Sequence, residues 1–236
     1  MCTVSFVNSN GKIVITSNRD ESVIRPSAIP PANYMRNGKN VIFPKDSKAG
    51  GTWYVVDEKG TVLVLLNGAQ DKHKVEFHYR KSRGLIVLDV ISHDSPRVFW
   101  DVINLDNIEP FTLVLYQEKR LFQLRWNGLE KESIELDINK NHIWSSATLY
   151  SEEIRVKRAN WFTTFLEHKD DVSSSEMLQF HRYTEQENEK NGLIINRNDE
   201  LKTLSITQTV IEKNKAIVRY YDLVLNLEFL TSFITI

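Results

Sequence analysis

The sequence predicts an α+β fold in which antiparallel sheets are covered by helices. Segments rich in Val, Ile, Thr, Phe and Tyr fall in three groups along the 236 residues, and helical patterns fill the gaps between these groups. Blocks of strands that alternate with pairs of helices are typical of this arrangement. A chain of this length buries roughly 70% of its unfolded surface, so we expect a single domain over residues 1–236.

The predicted strands are bounded by short turn signals. Asn10-Gly11 and Asn127-Gly128 separate alternating runs, and Asn-Gly favours tight hairpins because both residues adopt positive φ readily. The strand segments are 2–7, 12–17, 52–67, 111–126, 133–138 and 203–224. The apolar C-terminal stretch 223–236 is shorter than the ~20 residues that span a bilayer, so we expect a buried strand or helix there.

Signals for helix N-termini occur at three positions. Ser151 precedes two glutamates, Ser173 and Glu176 match a capping box, and Ser95 is followed directly by proline. The first of these helices has an apolar stripe at Ile154, Trp161, Phe162, Phe165 and Leu166. A fourth, weaker pattern has its apolar residues at Phe77, Leu85, Leu88 and Ile91. The sequence therefore predicts four helices.

Residues 18–51 are predicted to be irregular. Four of the six prolines fall in this stretch, together with Asn37 and Gly38. Proline lacks an N–H donor and therefore disfavours regular structure. Connections longer than ~12–15 residues without secondary structure are usually functional loops or disordered segments. The stretch therefore either walls a site or is mobile.

The charge balance excludes proteins that bind their partners mainly by bulk charge. The chain has 30 Lys plus Arg against 31 Asp plus Glu, with both signs spread along it. It therefore has no basic footprint for nucleic acid and no polybasic membrane patch. The N-terminal run has no basic lead of the kind that secretory signals carry. We expect a cytoplasmic protein with no nucleic-acid partner and no integral membrane association, and its oligomeric state is open.

The sequence predicts neither a metal site nor a cofactor. One cysteine cannot form an intramolecular disulfide or a thiolate zinc site, and the six histidines show no HExxH spacing. No P-loop, no strand-linked GxGxxG and no GxSxG elbow occurs. Nucleotide-binding and serine-hydrolase functions therefore have no support.

The first predicted hairpin sets the geometry around the single cysteine, Cys2. A two-residue turn at Asn10-Gly11 pairs residue 9 with residue 12, so paired numbers sum to 21 and Cys2 lies opposite Arg19. Directly opposed residues share a face, with Cβ atoms ~4.5–5.5 Å apart. With a four-residue loop, Cys2 would pair with Ser17, and Arg19 would stay on the same face of the hairpin as Cys2. With a three-residue loop, Arg19 would lie on the opposite face from Cys2.

Cys2 has two features of a nucleophile. A neighbouring cation such as Arg19 favours the thiolate, which is the reactive form. If Met1 is removed, Cys2 also carries a free α-amine with an ordinary pKa of ~7.7–8.0, which suits a general base at neutral pH. The alternative is a buried structural cysteine in a first strand, because free cysteine packs as a small hydrophobe.

Several short motifs, taken in order, resemble the NRDE family, also called the transport and Golgi organisation family. They comprise Cys2, Ser17 to Glu21, Arg25 to Ser27, Gly50 to Trp53, Leu66 and Asn67, and Ser82 to Gly84. The four-letter family name is Asn18 to Glu21 as they stand in this chain. The match continues weakly through residues 143–149 and 203–209, so it covers most of the sequence.

This resemblance implies an N-terminal-nucleophile hydrolase fold, a four-layer αββα sandwich, and kinship with cysteine amidases such as bile-salt and penicillin-V hydrolases. The implied substrate is a small-molecule amide or acyl compound, cleaved at a carbon–nitrogen or other acyl bond through an acyl-enzyme on Cys2. Arg19 is implied to orient Cys2 or a substrate carboxylate, Asp20 to hold the terminal amine, and Asn67 to donate to the oxyanion. The implied substrate-binding residues are Asn18, Trp53, Arg83 and Ser146.

Two departures from the amidase pattern favour an alternative function. Ser146 stands where relatives often have an asparagine, and Arg19 and Asp20 are adjacent instead of separated by two residues. Neighbours on a strand point to opposite faces, so both can serve Cys2 only if the strand ends at or before Asp20. The alternative is a non-catalytic carrier of the same fold that holds a lipid, haem-like or acyl ligand.

Overall fold

A computed structural model describes residues 3–169 and 171–235. Within these ranges the chain forms two seven-stranded antiparallel sheets and four α-helices, which confirms the predicted α+β class. The chain divides into two compact units, one formed by residues up to Arg25 with Asn139–Ile234 and the other by Pro26–Ile138. The single domain expected from the length stays a prediction.

The element bounds are as follows. The strands are β1 (Thr3–Ser9), β2 (Lys12–Ser22), β3 (Ile29–Arg36), β4 (Lys39–Lys45), β5 (Tyr54–Asp57), β6 (Val62–Asn67), β7 (Phe111–Gln117), β8 (Arg120–Trp126), β9 (Lys131–Leu136), β10 (His142–Ser145), β11 (Asn196–Arg197), β12 (Leu201–Glu212), β13 (Lys215–Asp222) and β14 (Leu227–Ile234). The helices are α1 (Arg83–Ile91), α2 (Pro96–Val102), α3 (Glu152–Leu166) and α4 (Ser174–Tyr183).

The sheet of the first unit is built around the β1–β2 hairpin. Its strand order is β10-β1-β2-β12-β13-β14, with β11 paired to β12 beside this path. The hairpin register runs from Ser9 opposite Lys12 to Thr3 opposite Asn18. Asn10 and Gly11 both have positive φ, 49° and 78°, as a type I′ turn requires. The predicted two-residue turn and its register are therefore confirmed.

Helices α3 and α4 cover one face of this first sheet. Val7 and Val14, which pair across the hairpin, pack into a buried cluster with side chains from both helices. The helix residues of the cluster are Phe162, Met177 and Phe180. Each of these buried apolar side chains stabilises the folded state by roughly 1.5–3 kcal/mol relative to full exposure, and this burial holds the helices on the sheet.

The predicted helix N-termini are confirmed. Pro96 and Glu152 begin α2 and α3 directly after the expected serines. At α4 the capping box is complete, because the Ser173 hydroxyl accepts from the backbone N–H of Glu176 at 3.1 Å. The Glu176 carboxylate in turn accepts from the backbone N–H of Ser173 at 2.9 Å. These bonds satisfy donors that the first helical turn leaves without partners.

The second unit has the strand order β3-β4-β5-β6-β7-β8-β9, and α1 and α2 pack against its central strands. A buried ion pair joins Lys39 Nζ to Asp57 Oδ2 at 3.0 Å. The same ammonium donates to the carbonyls of Ile91 at 3.0 Å and His93 at 2.9 Å. Lys39 therefore fastens β4 to the C-terminal end of α1.

The prediction of an irregular stretch over residues 18–51 is wrong. Strand β2 continues to Ser22, and β3 and β4 form a hairpin around a two-residue turn at Asn37-Gly38. Pro30 and Pro31 are tolerated because β3 lies at the edge of its sheet, where the outer side of the strand needs no N–H donor for strand pairing. The two prolines fall at the register shift between Ile29 and Ala32, where the regular pairing with β4 is interrupted.

Two boundary predictions also need correction. The weak helical pattern starts too early, because α1 begins at Arg83 and Phe77 is fully exposed in the irregular segment before it. The C-terminal stretch is predicted to be a buried strand or helix. It forms a strand, but this strand is not buried. Strand β14 pairs only with β13 among the described strands, which leaves Leu230 58% exposed and Ile234 77% exposed.

Gly51 and Gly84 allow two backbone segments of the second unit to touch. A Cβ built on Gly51 would lie 2.4 Å from the carbonyl carbon of Gly84, and the N–H of Thr52 donates to the Gly84 carbonyl at 3.1 Å. Only hydrogen fits at this crossing. The two glycine-containing motifs are therefore explained by their packing against each other.

Replacing Gly51 with alanine is expected to destabilise the protein by about 3 kcal/mol, because overpacking against backbone cannot relax cheaply. Gly38→Ala is the matched control, since a Cβ there meets nothing within 4 Å and only the positive φ of 80° is strained. The control should cost about 1 kcal/mol. Urea unfolding followed by circular dichroism measures both, and equal losses for the two variants would contradict the packing explanation.

Candidate functional site

Several predicted site residues meet where β1 begins. Thr3 pairs with Asn18 on one side and with Ser145 on the other, and Ser146 follows directly. The Ser146 hydroxyl lies 3.0 Å from that of Thr148. The predicted pairing of Cys2 with Arg19 falls outside the described residues, as does Met1. The structure thus brings the neighbours of the predicted nucleophile together in one place.

Arg19 and Asp20 lie on opposite faces of the first sheet. Strand β2 continues to Ser22, so the condition that it end by Asp20 is not met. Asp20 pairs with Thr203 and Arg19 pairs with Ser205, across an irregularity in β12. Because the strand alternation is preserved, Asp20 shares the face of α3 and α4, and Arg19 shares the other.

The Asp20 carboxylate is buried and held by two hydroxyl groups. The Thr203 hydroxyl donates to Oδ1 at 2.5 Å, and the Tyr150 hydroxyl donates to Oδ2 at 2.7 Å. These two bonds fix the Asp20 side chain at the end of the sheet where β1 begins.

A fully buried cation, Arg158 of α3, lies on the other side of Tyr150. Its guanidinium carbon sits 3.6 Å from the centre of the tyrosine ring, a cation–π contact. The guanidinium donates to the Thr3 hydroxyl and to the backbone carbonyls of Asn191 and Gly192. Anion and cation thus flank Tyr150, and the cation reaches β1.

Asn18 is fixed by α4. Its side-chain Nδ2 donates to the carbonyls of His181 at 3.1 Å and Leu193 at 2.7 Å. Its Oδ1 therefore accepts from Nδ1 of His181 at 2.6 Å, which leaves Nε2 to accept from the Ser5 hydroxyl at 2.7 Å. All of these atoms are buried, so Asn18 ties β2 to α4 instead of facing a ligand.

The imidazole of His181 is neutral in this arrangement. Burial is the main cause that lowers its pKa to about 3, and the nearby charge of Arg158 lowers it further. The Ser5 hydroxyl can donate or accept, so it is burial, and not these bonds, that excludes a second proton from the ring. The chain Ser5–His181–Asn18 is therefore a packing connection in which the ring is neutral.

Arg19 lies on the face of the sheet away from the helices. It is 3% exposed, and its Nη2 lies 3.5 Å from a carboxylate oxygen of Glu21. Burial raises the pKa of the nearby Tyr220 hydroxyl, an effect that Ser205 and the charge of Arg19 oppose and Asp222 reinforces. The Ser205 hydroxyl has no hydrogen-bond partner of ordinary geometry among the described residues, yet it lies close enough to act on Tyr220.

The other predicted residues belong to the second unit. Asn67 ends β6, and Trp53 is buried just before β5. Arg83 pairs with Glu109 at 3.0 Å and donates to the Pro110 carbonyl at 3.2 Å. An open polar cleft of about 410 Å³ lies beside residues 69–73 and 127–132 of this unit, and its lining contains none of the predicted site residues.

The family model described as Transport and Golgi organisation 2 matches residues 1–222 of this chain. The chain belongs to the TANGO2 family. This result confirms the resemblance drawn from the motifs, and the match ends at the last residue of β13. Among curated proteins, none matches the sequence.

Solved structures show that this TANGO2 chain has an N-terminal-nucleophile hydrolase fold. Two variants of the conjugated bile acid hydrolase from Clostridium perfringens, one with a cysteine-to-alanine change and one with an arginine-to-leucine change, each match with a TM-score of 0.64. Each is 12% identical and covers 98% of this chain and 92% of the other. The Caenorhabditis elegans orthologue of N-acylethanolamine-hydrolyzing acid amidase matches with a TM-score of 0.61 at 10% identity, covering 88% and 92%.

Three residues of the site in this TANGO2 chain were missed by sequence reasoning: Tyr150, Arg158 and Thr203. Only Arg158 left a usable signal. It stands four residues after Ile154 and four before Phe162, so helical periodicity places it inside the apolar stripe of α3. A charged residue inside an apolar stripe is a candidate for burial with polar partners, because charged side chains are almost never fully buried without them.

Two general features complete the description of this TANGO2 chain. Over residues 3–169 and 171–235, no group of three or more His, Cys, Asp or Glu side chains could hold a metal ion. Within the same ranges, none of the helices has both the length and the apolar composition that crossing a bilayer requires.

Proposed function

We propose that this protein is an N-terminal-nucleophile hydrolase that cleaves carbon–nitrogen amide, or other acyl, bonds through an acyl-enzyme on Cys2. The observation that carries the proposal is the register of β1 and β2, in which every pair from Ser9–Lys12 to Thr3–Asn18 sums to 21. Continued by one position, this register sets Cys2 opposite Arg19. The guanidinium would then favour the thiolate form of the nucleophile.

The adjacent positions of Arg19 and Asp20 fit this mechanism if Arg19 acts on the thiol of Cys2 and Asp20 acts on its α-amine. If the register extended by two positions, Asp20 would be opposite residue 1. With Met1 removed, the α-amine of Cys2 would be the group nearest to Asp20, while the thiol would share the face of Arg19. A backbone amine in the plane of the sheet would still be within reach of a carboxylate on the helix face.

The chemical steps follow from this arrangement. The thiol sulfur attacks the substrate carbonyl carbon, and the α-amine takes the thiol proton. The amine then gives this proton to the leaving nitrogen as the carbon–nitrogen bond breaks, which leaves a thioester. Water, deprotonated by the same amine, hydrolyses the thioester and restores the thiol.

The remaining roles in the proposed reaction go to the motif residues. Asn67 would donate to the oxyanion, and losing one such donor typically costs about 2.7–4 kcal/mol of transition-state stabilisation. Ser146 would supply a hydroxyl where relatives use an amide. Trp53 would line the substrate, while Asn18 and Arg83 would act indirectly, because their side chains are held within their own units.

The likeness to two hydrolases supports the proposal. One neighbour hydrolyses conjugated bile acids, and the other is an amidase that hydrolyses N-acylethanolamines. A cysteine is the residue changed in one of the bile acid hydrolase structures. We infer a small-molecule amide or acyl substrate for this chain, handled in the cytoplasm.

A carrier function is the second candidate, and one observation favours it. The hydroxyl of Ser146 lies 3.0 Å from that of Thr148, and in the orientation where Ser146 is the donor it has no further hydrogen for an oxyanion, because a hydroxyl donates only one. In this case the fold would hold a lipid, haem-like or acyl ligand without converting it. Mass spectrometry of co-purified molecules would identify such a ligand.

Intact mass and thiol labelling test the nucleophile directly. Cys2 is the only cysteine in the chain, so alkylation by iodoacetamide reports this residue alone. We expect a mass that lacks Met1, and we expect alkylation of the folded protein at pH 7 at least about tenfold faster than that of a free cysteine peptide, because the thiolate fraction is raised. Retention of Met1, or labelling no faster than the peptide, would refute the proposed mechanism.

A further inference from the structure

Arg158 is buried without a carboxylate in contact with it among the described residues. Within the part of the chain that the structure describes, the hydrogen bonds of its guanidinium go to neutral oxygens, on Thr3, Asn191 and Gly192. No ion pair within residues 3–169 and 171–235 includes it. A buried charge is costly, and its retention in the core of α3 therefore calls for a reason beyond packing.

The anchor of this cation on Thr3 points to such a reason. Thr3 is bonded directly to Cys2, and consecutive Cα atoms are about 3.8 Å apart. The guanidinium is thus anchored one residue along the chain from the proposed nucleophile. A positive charge acts more strongly on such groups in a protein than in bulk water, because the effective dielectric constant is lower.

We propose that Arg158 is a positioning residue for the nucleophile, which fixes the start of β1 through Thr3 and whose buried charge favours the deprotonated thiol and amine of Cys2. The inference rests on the proposed function, since it assigns a task to the same site. Both effects act in one direction, because a cation stabilises a thiolate and destabilises an ammonium. One residue on α3 would thus activate the nucleophile and its base together.

The effect of Arg158 on a second buried group supports this inference. Its charge helps to lower the pKa of His181, so the guanidinium acts on its surroundings across the helix layer. Among the described residues of the first unit, the other charged or titratable groups near the start of β1 include Arg19 and Asp20 on β2, Tyr150 after β10 and His181 on α4. Arg197 on β11 is a further one, and its guanidinium lies 5.1 Å from the Tyr150 ring. Arg19 adds to the effect of Arg158, whereas Asp20 opposes it at the amine.

The pH dependence of thiol labelling tests the proposal. Arg158→Gln keeps hydrogen-bond donors for Thr3 and Gly192 but removes the charge, so the pH midpoint of iodoacetamide labelling should rise by about one unit. Arg158→Lys keeps the charge and should restore the midpoint to within a few tenths of a unit. Lys157→Met removes an exposed cation from the same helix and should leave the midpoint unchanged, because solvent screens that charge.

Each outcome of this experiment decides the proposal. A folded Arg158→Gln variant with the wild-type midpoint overturns it, and so does an Arg158→Lys variant that shifts as far as Arg158→Gln. If Arg158→Gln does not fold, Thr3→Val removes only the anchor, and a rise of a few tenths of a unit is expected, whereas no rise overturns the proposal. Failure of the proposed function would show instead as wild-type alkylation that is no faster than that of a free cysteine peptide. The test of Arg158 compares only the pH midpoints of labelling among variants, so the two failures can be told apart.

Discussion

Replacing Cys2 with alanine is expected to abolish hydrolysis across a panel of small amides and thioesters, with a loss of at least about 10⁴-fold in kcat/KM for any substrate that the wild type turns over. The reason is that no other residue can form the proposed thioester, since the chain contains a single thiol. Release of the amine and the acid, measured by chromatography coupled to mass spectrometry, gives the rates.

Two controls separate loss of the nucleophile from loss of the fold. Cys2→Ser is nearly isosteric and keeps a weaker nucleophile, so some acyl-enzyme is expected to accumulate while turnover falls. Lys12→Ala changes the far end of the same hairpin, at an exposed side chain, and should retain wild-type rates. The free energy of unfolding of each variant, measured with urea, should stay within about 0.5 kcal/mol of the wild-type value.

The result that contradicts hydrolysis would favour the carrier. If Cys2→Ala keeps a co-purified ligand with unchanged affinity, and the wild type converts no member of the panel, the fold binds without catalysis. Turnover that survives in Cys2→Ala would place the chemistry elsewhere in the chain. The two outcomes differ in a measured product, so they cannot be confused.

The first hairpin could be predicted from the sequence because its determinants are local. Asn10-Gly11 fixes the turn, the alternating runs fix the faces, and the register follows without long-range information. The three confirmed helix N-termini are local in the same sense, since each depends on a serine and the turn that follows it.

The rest of the candidate site depends on contacts between residues far apart in sequence. Tyr150 reaches Asp20 across 130 positions, and Thr203 reaches it across 183. Neither partner carries a local signal that could select it from the other tyrosines and threonines. The β3–β4 hairpin was missed for a related reason, because whether Pro30 and Pro31 are tolerated depends on which strand lies at the sheet edge.

The family motifs mark the fold as much as the chemistry. Gly51 and Gly84 are required by a backbone crossing, and Asn18 connects β2 to α4 through His181. Such residues would be retained in a carrier as readily as in an enzyme. Membership of the TANGO2 family therefore establishes the architecture, and the activity has to be tested at Cys2 itself.

The buried His181 makes a second large effect expected, on stability as a function of pH. Its pKa is about 3 in the folded protein against an ordinary value of 6.5, so the unfolded chain binds a proton that the folded chain excludes between these pH values. Stability then rises with pH in this window. The contribution of His181 is complete above pH 6.5 and is lost as the pH falls towards 3.

The slope of this loss is about 1.4 kcal/mol per pH unit, so the wild type should be about 2 kcal/mol less stable at pH 5 than at pH 7 from this group alone. Urea unfolding at half-unit steps between pH 7 and 5 measures this loss of stability, above the range in which most carboxylates titrate.

His181→Gln should be less stable at pH 7, because Ser5 and Asn18 lose their imidazole partner. The slope of its free energy of unfolding against pH should nevertheless be shallower, by the amount that one proton contributes. His78→Gln removes an exposed imidazole as the matched control. Equal slopes for the wild type and His181→Gln would mean that burial does not keep the second proton off the ring in the folded state, and would contradict the expected low pKa of His181.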